Sequence, residues 1–131
     1  MIRSAAAVLA GLVVTIVLVM LLTYLAGVLA GVPVGAPPTP TYLALNLFGS
    51  AIAGFAGGDV AVRVAAHTPH GHVIALAVVI LLLSLPFALS APAPGQPTWY
   101  PFAISVVGPG SVLLGGLLAA RRISRRDTAP A

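Results

Sequence analysis

Four groups of residues in this sequence have the types and spacing that chemistry needs. Asp59 and Arg63 stand four apart, which puts both side chains on one helix face where opposite charges can pair. Asn46 is an uncharged amide inside an apolar run, followed by Gly49, Ser50 and Gly54. In lipid such an amide bonds across to another helix. His67, His70 and His72 cluster in one polar stretch, a spacing at which imidazoles hold zinc, copper or nickel or titrate near neutrality. Ser111 is a hydroxyl in the last apolar run, and a nucleophile only if a base reaches it.

Position narrows each of these. Asp59 falls about 17 residues beyond Tyr42, roughly 26 Å of helix, so it belongs near the far interface, where Arg63 can extend to headgroups. Two readings stand: an ion pair fixing the helix end, or a carboxylate coupled to proton or cation movement. The histidines have no cysteine to join them, since the chain has none, and no neighbouring carboxylate. Pro69 and Gly71 do not fix their geometry, so a solvated turn is expected, with a metal site as the alternative. Ser111 lies about 11 residues, roughly 16 Å, from Tyr100, whereas every histidine falls at the opposite membrane face. No phosphate loop, dinucleotide fingerprint or paired metal motif is present. The expectation is a protein that is not an enzyme and has no cofactor.

The elements that must position these residues follow from composition. Of 131 residues, 60% are hydrophobic and 6% charged, against about 25% charged in a soluble domain; the mean hydropathy is +1.12. A chain this short cannot hide that much apolar surface from water, so lipid is the expected solvent. A bilayer needs about 20 apolar residues of helix. Four stretches qualify: residues 5–30, 42–62, 73–90 and 99–120. Proline-rich breaks at 32–40 and 91–97 and the histidine stretch separate them, and a basic tail, 121–131, follows. The first stretch is too long for the h-region of a cleaved signal peptide, about 7–15 residues. The expected class is therefore all-α, an integral-membrane four-helix bundle.

Charge gives the orientation. The arginines, Arg3, Arg63, Arg121, Arg122, Arg125 and Arg126, all fall on one side of a four-span topology, and the proline-rich loops carry no charge. The positive-inside rule puts both termini in the cytoplasm. Tyr42, Trp99 and Tyr100 then open the second and fourth spans at the outer aromatic belt. The net charge of +4 thus speaks of anionic lipid and topology, with no nucleic acid expected. The Ala, Gly, Pro and Arg bias without Lys suits a GC-rich bacterial genome and hence an inner membrane.

An offset of 58 positions places Tyr42 on Tyr100, Gly57-Gly58 on Gly115-Gly116, Ala61 on Ala119 and Arg63 on Arg121. Two readings remain open: a parallel duplication of helical hairpins, or two helices that meet the same interfacial rules. Lipid supplies no hydrophobic drive between helices, so small residues mark close contact. Gly49, Ala53, Gly57, Ala61 and Ala65 form one ridge of the second span, Ser50, Gly54 and Gly58 another, and Ser111, Gly115 and Ala119 a third on the fourth span. Spans two and four should lie at the centre or at a subunit contact. The bulky run Val78–Leu83 should face lipid or fill ridges. Pro109 and Pro86 deprive the Ser105 and Leu82 carbonyls of their helical donors, to be re-satisfied by neighbours or used to line a site.

The stretch Asn46-Leu47-Phe48-Gly49-Ser50, with Gly54 beyond, resembles the asparagine-bearing second helix of small four-span fluoride channels. That resemblance implies ion passage past Asn46, the one residue it carries over. It covers about ten residues and lapses in the third span, where those channels have a Thr- and Phe-rich break; their charge is also balanced across the membrane. The Gly57-Gly58 to Arg63 helix end and the outer turn Pro94-Gly95-Gln96-Pro97-Thr98-Trp99-Tyr100 resemble small four-span bacterial membrane proteins to which no activity is assigned. That likeness implies fold and location alone. The functional expectation is a structural or partner-binding membrane subunit, with the bilayer and a homo-oligomer or larger membrane complex as partners. A small-solute or ion transporter or channel is the alternative. Under the first reading, Asp59→Asn and Asn46→Ala should leave stability almost unchanged.

Overall fold

The computed structural model describes residues 2–65 and 69–127. Four helices follow one another: α1 (Ile2–Ala30), α2 (Pro40–Val64), α3 (Pro69–Leu89) and α4 (Tyr100–Asp127), with no strand among the described residues. All four are long and apolar enough to cross a membrane. In hydrocarbon a backbone must satisfy its own hydrogen bonds, which a helix does within one segment. The outside of the bundle carries Met20, Leu29, Leu82 and Leu83, each more than 60% exposed, a surface that water would not tolerate. This is the build of a multi-pass membrane protein.

Local chemistry sets the ends. Thr39 caps α2 by accepting a hydrogen bond at Oγ1 from the Tyr42 N–H (3.2 Å), and Pro40 supplies the preset φ suited to a first helical position. At the end of α1, Gly31 takes φ +64°. The Val32 N–H then donates to the Gly27 carbonyl (2.9 Å) and the Gly31 N–H to the Val28 carbonyl (3.2 Å), the paired closure of a Schellman cap. The second proline-rich loop turns on Pro94-Gly95: Gly95 has φ +80°, and the Gln96 N–H donates to the Ala93 carbonyl (2.9 Å). Pro followed by a positive-φ Gly is what a type II turn requires.

Two boundaries differ from the sequence expectation. α4 continues to Asp127, so the helix runs past the expected span end at 120 and the basic stretch is helical as far as residue 127. Arginine is a good helix former, and cations are favoured at a helix C-terminus. α3 begins at Pro69, so His70 and His72 lie in its first turn and not in a loop. Proline is at home in a helix's first position, and here it starts the helix ahead of the apolar run.

α2 lies between α1 and α4 and packs along both, α3 packs mainly along α4, and the backbones of α1 and α4 stay more than 8 Å apart, Cα to Cα. The expectation of a central second span is met; the fourth lies between α2 and α3. The two small-residue ridges of α2 face different neighbours. A Cβ on Gly49 would stand 3.0 Å from Leu22 Cβ, and one on Gly57 would fall on Thr15 and 2.7 Å from the Gly11 carbonyl oxygen, all in α1. A Cβ on Gly54 would stand 2.7 Å from the Gly108 carbonyl oxygen and 3.1 Å from Ser111 Cβ, and one on Gly58 would fall on the Val112 carbonyl, all in α4. Gly115 in turn lies against the Phe55 backbone and Gly116 against Val73. Ala53 and Ala61 are fully buried and Ala119 nearly so.

α2 and α4 thus run side by side in the same direction, with Gly54 on Val112 and Gly58 on Gly116, at the same offset of 58 positions. The outer flanks do not repeat it: Gly57 meets α1, whereas its counterpart Gly115 meets α2. α3 buries Val73, Leu76 and Ala77, while Val78, Leu81, Leu82 and Leu83 face outward, as its bulk suggested. Pro109 is buried in α4. The Ser105 carbonyl it leaves without a donor lies 3.4 Å from Ser84 Oγ of α3, which also reaches the Leu81 carbonyl (2.9 Å). Ser105 Oγ reaches back to the Ser84 carbonyl (3.2 Å) and to the Pro101 carbonyl (2.7 Å). The single Ser84 hydroxyl proton is shared between the Leu81 and Ser105 carbonyls, so the neighbouring helix supplies part of what the proline removes.

Candidate functional site

α1 and α4 both rest on α2, and no Cα of one comes within 8 Å of the other, so a cleft runs between their backbones with α2 as its back wall. Toward the arginine-bearing end α3 closes it, because Leu76 reaches Gly11 of α1: a Cβ on Gly11 would come within 2.6 Å of that side chain. Toward the proline-rich end the cleft stays open as a cavity of about 690 Å³, within the range of small-molecule sites. Thr23 and Tyr24 of α1, Tyr42 and Asn46 of α2, and Tyr100 and Ile104 of α4 line its depth, and Phe87 of α3 borders it. The two proline-rich loops form its mouth with Val32, Pro33, Ala93 and Gln96. A Cβ on Gly95 would stand 3.1 Å from Pro37 Cβ, so the loops meet over the opening. The turn is further tied by the Ala93 N–H, which donates to Gln96 Oε1 (3.2 Å).

The polar floor is a chain of three side chains from three helices. Thr23 Oγ1 donates to Asn46 Oδ1 (2.6 Å), and Asn46 Nδ2 donates to the Tyr100 hydroxyl oxygen (2.7 Å). Ser50 Oγ donates to the Asn46 backbone carbonyl one turn on (2.8 Å). Asn46, Ser50 and Tyr100 are buried, Tyr100 to 2% exposure. The amide thus bonds across to other helices, as lipid demands of it. Its partners change the expected cost of its loss: Asn46→Ala strips a bond from both Thr23 and Tyr100, so the expectation of almost unchanged stability does not survive. Tyr100, expected at an outer surface, is buried. Trp99 beside it is exposed, with its ring edge-on to Tyr100 at 5.9 Å between centroids, while Tyr100 turns inward.

The other residues that the sequence singled out are elsewhere. Asp59 and Arg63 form a bidentate pair at the arginine-bearing end of α2, with Arg63 Nε on Oδ2 at 2.5 Å and Nη2 on Oδ1 at 3.2 Å. The Arg63 side chain is 64% exposed. Asp59 lies 13 residues along the helix from Asn46, about 20 Å away, so the two do not share a site. Between them Gly54, Gly57 and Gly58 bring backbones into contact. Ser111 lies in that packed seam against Gly54. His67 lies outside the described residues. His70 is exposed, and His72, two positions on, projects from another side of α3. No group of three metal-ligating side chains occurs among the described residues.

Two members of the polar chain escape a reading of single residues. Thr23 looks like one hydroxyl in an uncharged helix, yet Ala7, Gly11, Thr15, Thr23 and Ala26 recur at near-helical spacing, a stripe of small and hydroxyl residues. All lie on the inner face of α1, with Thr23 partly covered. Tyr100 is marked only by being a tyrosine beside a tryptophan at a helix start, which suits an interface equally well. No known protein family matches the chain, nor does any curated protein or solved structure.

Proposed function

We propose that this chain is a structural or partner-binding subunit of a bacterial inner membrane, with both termini and the turn after α2 in the cytoplasm. The observation that carries this reading is the seam below Asn46. There α2 meets α1 at Gly11 and Gly57 and α4 at Gly54 and Gly58, backbone to backbone, and the lining of the cavity goes no further along α2 than Asn46, short of Asp59 and Arg63. A solute path needs polar groups or water along its length. The exposed Asp59–Arg63 pair fits a helix-end anchor, with the arginine extended to headgroups. Placement of the arginines at one end supports the orientation. The reading includes no enzymatic reaction and no cofactor, and its partners are the lipid bilayer and a second copy or larger membrane complex.

Reconstitution into liposomes tests it. The expected result is no flux above empty vesicles across a panel of ions, including fluoride, and small metabolites. Flux that Asn46→Ala or Asp59→Asn abolishes would establish the transporter reading instead. Asn46 favours that alternative only in lining a cavity open at one end.

A further inference from the structure

We infer that the cavity at the proline-rich end is a binding site for an uncharged lipid, one with a carbonyl or hydroxyl oxygen at its head and an apolar tail. The floor supplies the head contact. Thr23 spends its hydroxyl proton on Asn46, and Asn46 spends one amide proton on the Tyr100 oxygen. The Tyr100 hydroxyl proton and the second Asn46 amide proton remain for an acceptor oxygen placed in the cavity. Both groups line it and both are buried, so an acceptor there meets donors already held in place by three helices. None of the lining residues carries a charge. A phosphate head drawn to this depth would find no cation, at a cost that a neutral oxygen avoids.

The walls argue for a guest that arrives from the membrane. α1 and α3 touch at Gly11 and Leu76 near the arginine-bearing end. At the cavity's depth they stand on either side of it, with Tyr24 and Val28 on α1 and Phe87 on α3. These three rim residues are 67%, 60% and 43% exposed on faces that lipid would cover. A tail can therefore leave sideways between α1 and α3 while the head rests on Tyr100. The loops meet at Pro37 and Gly95 over the mouth and narrow the route from water.

The chain carries its own reporter, because its single tryptophan, Trp99, stacks edge-on against Tyr100. In detergent micelles, Trp99 fluorescence is titrated with a diacylglycerol brominated on one acyl chain. The matching brominated phosphatidylglycerol and a water-soluble brominated benzamide are titrated in parallel. The expected result is saturable quenching by the diacylglycerol alone. Tyr100→Phe should weaken it about five- to tenfold, the worth of one hydrogen bond. Val28→Trp, filling the exposed rim, should remove the saturable phase when read by displacement of a fluorescent diacylglycerol. Equal or non-saturating quenching by both lipids overturns the proposal, as does a Tyr100→Phe protein that is folded and binds as tightly. Saturable quenching by the benzamide alone would make the guest a solute and overturn it equally.

Discussion

Replacing Gly58 by alanine tests the packing most sharply, because the three nearest atoms its methyl would meet are all backbone. The new Cβ would fall on the Val112 carbonyl oxygen, 2.8 Å from the Gly116 nitrogen and 3.0 Å from the Val112 carbonyl carbon. No rotamer change relieves a clash with a helix backbone. Ordinary contact begins at 3.4 Å, so clearing the Gly116 nitrogen alone takes 3.4 − 2.8 = 0.6 Å of separation, and the carbonyl oxygen demands more. A gap of about 0.5–1 Å forfeits a quarter to a half of each dispersion contact it opens. Two rigid helices open together, so the Gly54 and Gly115 contacts loosen too. Overpacking of this kind costs about 1–3 kcal/mol, and the upper value is expected where lipid adds no compensating hydrophobic drive. The helix propensity of alanine returns about 1 kcal/mol, leaving a net loss of about 2 kcal/mol. Gly110 is the control: it is helical and exposed, with nothing within 4 Å of the place its methyl would take, so Gly110→Ala should be neutral or gain up to about 1 kcal/mol. Unfolding by sodium dodecyl sulfate in mixed micelles, followed by helical circular dichroism, measures both. Equal stability of the two variants would refute the reasoning.

Asn46→Leu should cost about 1–3 kcal/mol in the same assay, the sum of two interhelical bonds in lipid. A double-mutant cycle with Tyr100→Phe should show coupling of about 0.6–1.7 kcal/mol; additive effects would deny the bond. Ser84→Ala should destabilise by about 0.5–1.5 kcal/mol by stripping the Ser105 carbonyl left bare by Pro109, and no change would mean that carbonyl is satisfied otherwise. Asp59→Asn should leave the unfolding midpoint where it was, since its partner stands largely in the open; a marked shift would give the pair a structural weight that this account denies it.

The helices were readable because their signal is compositional: with 6% charged residues, four apolar runs and three breaks leave little choice. The two ridges of α2 were readable as well, since glycine and alanine at four-residue spacing mark a face regardless of what covers it. Which neighbour each ridge meets was not, because that depends on the order in which helices pack around α2. The same gap hid the polar floor. Asn46 could be picked out alone as an amide in lipid, but Thr23 and Tyr100 reach it across 23 and 54 positions of chain. Only the rotation of α1 and α4 about their axes brings them in. The helix ends erred for a local reason: arginine continues a helix as well as it terminates a span, and Pro69 starts one.

The central claim is a four-span protein with both ends on one side, and labelling tests it directly because the natural chain has no cysteine. Single cysteines placed at Val34, Ala93 and His70, all exposed, are treated with a membrane-impermeant maleimide in intact spheroplasts and again after permeabilisation. Val34→Cys and Ala93→Cys are expected to react at once and His70→Cys only after permeabilisation. Reaction of Val34→Cys and Ala93→Cys from opposite sides, or of all three from the same side, would contradict the claim.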